Sequence, residues 1–220
     1  MRIAFLLLLA ALPASGLTLV YTEPSDGETM RHIIVILPSA DGLAIDVSTE
    51  KAGRIVASQA LLTDPALSAL RWRFVDEAAG TDVTAVRDGA TISLSGRHRG
   101  GSVRRTFAAG ADPWYQLFPL GLEPLALNPR EPVRFWAIGT MGIAALRIGL
   151  FRAVAVGAEE IRWNGAIVPA VRVRIALAGI TSILWHGDYW FRADDGKHLV
   201  SSSDRGPGTP RLRIELTEER

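Results

Sequence analysis

The sequence predicts a mainly β protein built as an antiparallel meander of short strands. Apolar and polar residues alternate with a period of two in many runs, as half-buried strands do. Turn signals such as Asp41-Gly42 and Asn164-Gly165 separate these runs at short intervals. A parallel α/β sheet would need helical patterns of about 10–15 residues between its strands, and these are mostly missing.

The chain begins with the pattern of an export signal. Arg2 precedes the apolar run of residues 3–12, and Pro13-Ala14-Ser15-Gly16 offers small residues for cleavage. We therefore predict a signal peptide over residues 1–16, a single domain over residues 17–220 and a periplasmic or secreted location. The alternative is an uncleaved anchor, but an apolar run of about ten residues is shorter than the roughly 20 that span a bilayer.

Composition excludes several classes of protein. The chain has no cysteine, so it carries neither disulfides nor a lipid on an N-terminal Cys, and its stability must come from burial of its core. Loss of Arg2 with the signal leaves 23 of the 24 Lys and Arg residues against 23 Asp and Glu. A mature charge near zero argues against nucleic acid as a partner.

Strands are predicted at residues 17–22, 30–37 and 43–48, because each segment is apolar and ends at a turn signal. Further alternating runs are Leu70/Trp72/Phe74, Ile92/Leu94 and Leu212/Ile214/Leu216. Two short helices are also predicted, at residues 66–70 and 114–118. Each follows an Asp-Pro pair, which is typical of an N-cap followed by the first helical position.

Residues 161–191 form the strongest hairpin signal. After Asn164-Gly165, the residues Ile167, Val171, Val173, Ile175 and Leu177 share one face, with Arg172 and Arg174 on the other; a return strand carries Ile183, Trp185, Tyr189 and Phe191, followed by a turn at Asp194-Asp195-Gly196. Residues 133–156 fit both a strand and a helix pattern. Glycines at 139, 142 and 149 favour strands there.

A family resemblance rests on turns and aromatic residues in the middle and second half of the chain. The positions that carry it are Asp112-Pro113-Trp114-Tyr115-Gln116, Glu159, Glu160, Trp163-Asn164-Gly165, Val168, Ala170, residues 172–175, Tyr189-Trp190-Phe191, Asp194-Asp195-Gly196-Lys197, Leu199 and residues 205–210. They resemble a family of secreted bacterial proteins, a domain of unknown function in periplasmic proteins that is similar in fold to the lipoprotein carriers LolA and LolB. The match is strongest over residues 131–217.

That resemblance implies a strongly curved antiparallel sheet, an incomplete β-barrel, with one or two short helices as a lid or plug over an apolar concavity. It leaves activity open, because the same half-barrel serves lipoprotein carriers and at least one pigment-pathway enzyme.

Aromatic side chains are the candidates for lining such a concavity. In a filled barrel they would instead form the core, each indole N–H with a hydrogen-bond partner. The candidate lining residues are Trp72, Phe74, Trp114, Tyr115, Phe135, Trp136, Ile175, Trp185, Tyr189 and Phe191.

Charged residues give weaker candidates. Arg97, Arg99, Arg104 and Arg105 bracket Gly100-Gly101, and a hairpin with this basic tip either contacts anionic headgroups or is simply solvated.

The histidines show no spacing typical of a zinc site, and no cofactor or metal is predicted. His186 and Asp188 share a strand face, which suits an acid–base pair, or else His186 is satisfied at a bulge made by Gly187. His198, beside a turn, is expected to be solvated. Ser48-Thr49-Glu50-Lys51 matches the S-x-x-K pattern of penicillin-recognising enzymes but lacks its partner motifs.

Three functions follow in order of preference. The first is an exported, non-enzymatic protein that holds a lipid, an acyl chain or another apolar molecule. The second is an envelope interaction or scaffold module, with a protein partner and a core filled by its own tryptophans. The third is an enzyme working through His186 and Asp188.

Overall fold

The computed structural model describes residues 16–25, 27–129, 131–140, 146–179, 185–204 and 211–220. The elements are β1 (Leu17–Ser25), β2 (Glu28–Ser39), β3 (Gly42–Lys51), β4 (Arg54–Thr63), β5 (Ala69–Asp76), β6 (Thr81–Asp88), β7 (Thr91–His98), β8 (Gly101–Ala108), α1 (Phe118–Gly121), α2 (Glu123–Leu127), β9 (Val133–Thr140), β10 (Leu146–Trp163), β11 (Ala166–Leu177), β12 (His186–Arg192), β13 (His198–Asp204) and β14 (Arg211–Glu219). In this described part, neither helix has the length or hydropathy to cross a membrane.

All strands belong to one 14-stranded antiparallel sheet, which confirms the mainly β prediction. The order runs β8-β7-β6-β5-β4-β3-β2-β1-β14-β13-β12-β11-β10-β9, so β1 and β14 pair near the middle and β8 and β9 are the edges. The sheet curls so that its two ends meet. Ile92 and Leu94 of β7 share one buried cluster with Ile138 of β9 and Leu146 of β10. Near these edges, the Arg105 guanidinium donates to the Leu146 carbonyl at 3.1 Å.

The strand predictions follow from local chemistry and hold. The Asn164-Gly165 turn joins β10 to β11 with φ of 47° and 81°, which are the two positive values a type I′ hairpin requires. Val173 and Ile175 are fully buried, as their shared face predicts. Ile167 is an exception and is 55% exposed, because it lies near the hairpin tip. The ambiguous segment 133–156 forms β9 and the start of β10 where it is described.

The prediction of a helix at residues 66–70 is wrong. Asp64 does cap the chain, since its Oδ1 accepts from the backbone N–H groups of Ala66 and Ser68 at 2.9 Å. Leu67, however, has a left-handed φ of 66°, which stops a helix, and β5 begins at Ala69.

The second predicted helix is displaced toward the C-terminus. Backbone groups around Trp114 are used by a parallel bridge to Trp136 instead: Trp136 N–H donates to Pro113 O at 2.8 Å, and Tyr115 N–H donates to Trp136 O at 2.9 Å. The first helix, α1, therefore begins only at Phe118. Leu122 ends α1 and immediately precedes α2. We call residues 117–127 the plug.

Buried side chains form two clusters. The first is large and includes Leu19, Val47, Trp72 and Trp114. The second lies under the plug, where Leu122 and Leu125 pack with Phe135, Phe151 and Phe191. Residues 1–15 of the predicted signal peptide, Ile183 and the turn at residues 205–210 lie outside the described residues.

Candidate functional site

The concave side of the sheet contains a cavity of about 190 Å³ between its two buried clusters. We call it the inner cavity. Strands from both halves of the sheet and the start of the plug line it: Tyr21, His32, Ile34, Val47, Gln59, Leu117, Pro119, Tyr189, His198, Ser201 and Ile214. Because β1 and β14 are neighbours, strands far apart in sequence meet here.

His198 is the least expected residue of this lining. It is 1% exposed rather than solvated as predicted, and it lies among three rings, with centroid distances of 5.3 Å to Tyr21, 5.6 Å to Tyr189 and 5.5 Å to Phe191. Within the described structure neither ring nitrogen has a hydrogen-bond partner. An unpaired polar group buried in this way costs about 1–3 kcal/mol.

The His198 ring is uncharged at neutral pH. Burial lowers its pKa to about 3, because the imidazolium would lose its hydration. The backbone of Val200 has a smaller, opposite influence and raises the pKa of His198. It does not, however, lie in hydrogen-bond geometry with either ring nitrogen.

Two phenols flank this histidine. The Tyr21 hydroxyl donates to the His198 carbonyl at 3.0 Å and ties β1 to β13. Burial raises the pKa of Tyr189 and is the main cause that raises the pKa of Tyr21, so both hydroxyls stay protonated. The side chains of Tyr21, Tyr189 and His198 are therefore all uncharged in the cavity wall at neutral pH.

A second histidine of the lining has both of its nitrogens engaged. His32 Nε2 lies 3.1 Å from the buried Glu23 carboxylate, and its Nδ1 lies 3.1 Å from the Thr49 hydroxyl. A hydroxyl, a base and an orienting carboxylate are the parts of an activated nucleophile. Thr49, however, is buried and does not belong to the described lining of the cavity, so its hydroxyl is not presented to a ligand there.

The plug closes the site through aromatic and charged contacts. The Phe118 ring lies 5.3 Å from Phe135, 5.4 Å from Phe151 and 6.2 Å from Tyr189, so α1 is anchored in the second cluster. On α2, burial raises the pKa of Glu123 to about 7, with Lys197 opposing and Asp195 adding to the shift.

Most of the predicted lining residues are packed in the core rather than around the cavity. Tyr189 is the member of that set that lines it. Trp72, Phe74, Trp114 and Trp136 belong to the first cluster, and Tyr115, Phe135, Ile175, Trp185 and Phe191 to the second.

Five of the six tryptophans donate their indole N–H to a partner inside the protein. The bonds run from Trp72 to Gln59 Oε1, Trp114 to Gln116 Oε1, Trp136 to Ala109 O, Trp163 to Leu216 O and Trp190 to Glu159 Oε1.

The four candidate arginines do not form one patch. Arg105 pairs with the inward-facing Leu94 and reaches Leu146, whereas Arg104 pairs with Ser95 on the opposite face. Arg97 shares the outer face near Asp82, and Arg99 forms the hairpin tip with φ of 51°. The period of two therefore separates neighbours that the sequence groups together.

His186 and Asp188 share a face, but Asp188 is committed elsewhere. Its carboxylate receives two bonds from Arg174, at 2.8 and 3.1 Å. Gly187 pairs regularly with Ile175 and Ser203, so the predicted bulge there is wrong; the irregularity of β12 lies between Trp190 and Phe191.

Sequence reasoning missed Tyr21, His32 and His198. The available signal at His198 was its position immediately before the apolar pair Leu199-Val200, which makes it the first residue of a buried strand rather than a turn residue. An outer depression of about 340 Å³ beside Arg152 and Arg174 lies on the opposite face of the sheet from the inner cavity.

Comparison with known proteins extends only to the fold. No family model matches the chain, and no curated protein matches it. The crystal structure of a β-barrel-like protein of the domain of unknown function DUF1849, from Brucella abortus, is similar with a TM-score of 0.59 and 10% identity, covering 94% of this chain and 97% of that one. The hypothetical lipoprotein YmcC from Escherichia coli aligns over 94% of this chain and 85% of its own, with a TM-score of 0.32 and 13% identity.

The first of these likenesses confirms a barrel-like antiparallel fold shared with a protein of unknown function. The closer resemblance to LolA and LolB stays a prediction.

Proposed function

We propose that this is an exported protein of the bacterial envelope that holds one small, mainly apolar molecule in the inner cavity, beneath the plug. The observation that carries the proposal is an apolar recess of about 190 Å³ on the concave side of the sheet, bordered by buried rings and by the start of the plug. Binding sites for small molecules are concave and mostly apolar with a few polar groups, and this recess has that character.

The size of the cavity restricts the occupant. Pockets for drug-sized ligands are about 300–1,000 Å³, whereas an apolar cavity of about 150 Å³ accepts benzene. The inner cavity therefore suits a single six-membered ring with a short substituent, or a short chain. A full acyl chain would need the plug to move, because Leu117 and Pro119 are part of the wall.

The envelope location is supported by the predicted signal peptide. The non-enzymatic nature is supported by the engagement of Asp188 with Arg174 and by the position of Thr49 away from the cavity wall.

The test uses toluene as probe and the mature chain from Leu17 to Arg220. Leu117→Trp places a larger side chain in the cavity wall, and we expect it to abolish the chemical-shift changes that toluene causes in the NMR spectrum of the wild type. Ile55→Trp adds the same ring at a site that is 64% exposed and should leave toluene binding unchanged. Native mass spectrometry and organic extraction of freshly purified protein then search for a natural occupant.

A second candidate is the interaction module with a filled core. The tight packing of nearly all predicted lining aromatics favours it. If toluene leaves the wild-type spectrum unchanged and no small molecule is extracted, the binding proposal is wrong and this candidate takes its place.

A further inference from the structure

We propose that the free edge of β8 binds an extended, acidic segment of another protein, which adds to the sheet as a further strand. Recognition of this kind takes its affinity from main-chain hydrogen bonds and its specificity from side chains. Strand β8 contributes no residue to the described lining of the inner cavity, so the inference is independent of the proposed function.

The two edges of the sheet differ in what covers them. On β9, the segment before α1 takes the place of a neighbouring strand: Trp136 N–H donates to Pro113 O at 2.8 Å, and Tyr115 N–H donates to Trp136 O at 2.9 Å. The Gln116 side chain accepts from the N–H of Ile138 at 3.1 Å and donates to its carbonyl at 2.8 Å. The β9 edge is therefore closed here by the chain's own groups.

On β8, alternate residues direct their backbone groups away from the sheet. The Arg99-Gly100 turn has φ of 51° and 78°, the two positive values of a type I′ hairpin. Such a turn makes the flanking pair His98 and Gly101 a hydrogen-bonded one, and bonded pairs alternate with non-bonded pairs along β7 and β8. Ala109 N–H donates to Ala90 O at 2.7 Å, which extends the same odd-numbered series. The even-numbered residues direct their N–H and C=O groups away from β7: Ser102, Arg104 and Thr106.

The outward groups of these three residues lie open. All three residues are exposed, and no group of the described chain bonds to their outward N–H and C=O groups. Strand β8 contains no proline, and its pairing with β7 runs without a bulge from Thr91 and Ala108 to His98 and Gly101. A regular, uncovered edge of this kind is a template for pairing with another chain.

Charge on the outer face indicates the kind of segment that fits. Arg104 is exposed there, and Arg97 lies on the same face opposite Ser102. Asp82, opposite Arg97, already accepts two bonds from Arg73 at 3.0 and 2.9 Å. The arginines of this face therefore outnumber the acid beside them. A glutamate or aspartate on an added strand would lie directly opposite Arg104 and pair with it.

The same charges disfavour a second copy of this chain as the occupant. Two β8 edges paired antiparallel would bring Arg104 and Arg105 close to their counterparts, and like charges on facing strands are destabilising. The Arg105 guanidinium donates to a neutral carbonyl, that of Leu146 at 3.1 Å, so its charge is not balanced there. The edge therefore opposes self-association and favours an acidic partner.

The test uses a blocked peptide of eight residues, the length of β8, in which glutamate alternates with threonine. It is titrated into the ¹⁵N-labelled mature chain, and a peptide with lysine in place of glutamate is the matched control. We expect the glutamate peptide to shift the amide signals of Ser102, Arg104 and Thr106 and to slow hydrogen exchange at Arg104 and Thr106 at least about tenfold. The lysine peptide should bind at least about threefold more weakly.

Two variants at one position isolate the main-chain bond. Thr106→Pro removes the outward N–H, and proline is tolerated on an edge strand where the N–H faces solvent. Thr106→Ala keeps that N–H and loses only the side chain. Thr106→Pro should weaken binding of the glutamate peptide at least about fivefold, whereas Thr106→Ala should stay within about twofold of the wild type.

A charge reversal tests the choice of an acidic partner and does not depend on the proline variant folding. The ratio of glutamate-peptide affinity to lysine-peptide affinity should fall at least about fivefold in Arg104→Glu. Arg54→Glu makes the same change in net charge at an exposed site on β4 and should leave this ratio within about twofold of the wild type.

Three results would overturn the proposal. The first is the absence of amide shifts at about 1 mM peptide, a concentration that half-fills a site with a Kd of about 1 mM. The second is equal binding of the glutamate and lysine peptides, or equal ratios in Arg104→Glu and Arg54→Glu. The third is a dimer that forms without peptide and disappears in Thr106→Pro, because the occupant of the edge would then be a second copy of this chain.

Discussion

Acid sensitivity of folding gives the sharpest test of the buried, unpaired His198. Its pKa is about 3 in the folded protein against an ordinary value of 6.5. A histidine with a lowered pKa stays neutral in the fold while the unfolded chain binds a proton. Its contribution to stability is therefore complete above pH 6.5 and is lost as pH falls from 6.5 toward 3.

The expected magnitude follows from that window. At pH 5.0 the loss corresponds to about 1.5 pH units, or about 2 kcal/mol of unfolding free energy. The His198→Phe variant cannot lose this contribution. From pH 7.5 to 5.0, the unfolding free energy measured in urea should therefore change about 2 kcal/mol less favourably in the wild type than in the variant. Glu123 also gains a proton in this interval, but it does so in both proteins and cancels in the comparison.

Controls separate this effect from other titrations. The pKa values of Asp195 and Glu219 are lowered from ordinary values of 3.8 and 4.5, so their losses begin below about pH 4.5, outside the interval. His186→Phe removes a half-buried histidine and should keep the acid loss of the wild type, and His198→Gln should behave like His198→Phe. Equal pH dependence in the wild type and both His198 variants would refute the argument.

Three further predictions concern the plug, the sheet and an ion pair. Burial raises the pKa of Glu123 to about 7, so burying this side chain costs no stability below pH 4.5 and a growing amount between pH 4.5 and 7. Glu123→Gln should therefore be up to about 3 kcal/mol more stable than the wild type at pH 8 by urea unfolding. This gain should vanish near pH 4.5. Gly96 has φ of 134° and a Cβ there would lie 2.2 Å from the Asp82 carbonyl oxygen, so Gly96→Ala should cost at least about 3 kcal/mol and lower the Tm strongly. Arg174→Ala leaves the carboxylate of Asp188, which is 7% exposed, buried without its partner and should cost about 2 kcal/mol in chemical unfolding.

Matched variants accompany these three. Gly89→Ala has a positive φ of 55° but open space around the added methyl group, so its cost should be about 1 kcal/mol; a cost equal to that of Gly96→Ala would contradict the steric argument. Arg73→Ala breaks an exposed pair with Asp82 and should change stability much less than Arg174→Ala does. A pH-independent gain in Glu123→Gln would mean that relief of carboxylate burial is not its cause.

The local chemistry of the chain was sufficient to predict the sheet. Alternation with a period of two and turns such as Asn164-Gly165 act between neighbours in sequence, and an antiparallel meander consists of neighbours in sequence. The short helices were harder, because a helix competes with every other use of the same backbone groups. Trp114 bonds to a strand more than 20 residues away, at Trp136, and this contact moves the start of the helix to Phe118.

By itself, then, the sequence determined the fold class and the faces of most strands, since these depend on side-chain spacing and turn geometry. Only the tertiary structure decided which buried residues pack together and which border a space. Pairing of β1 with β14 brings Tyr21 and His32 of the first strands against Tyr189 and His198 near the end of the chain. That pairing joins strands from opposite ends of the sequence, so no single stretch of sequence encodes it.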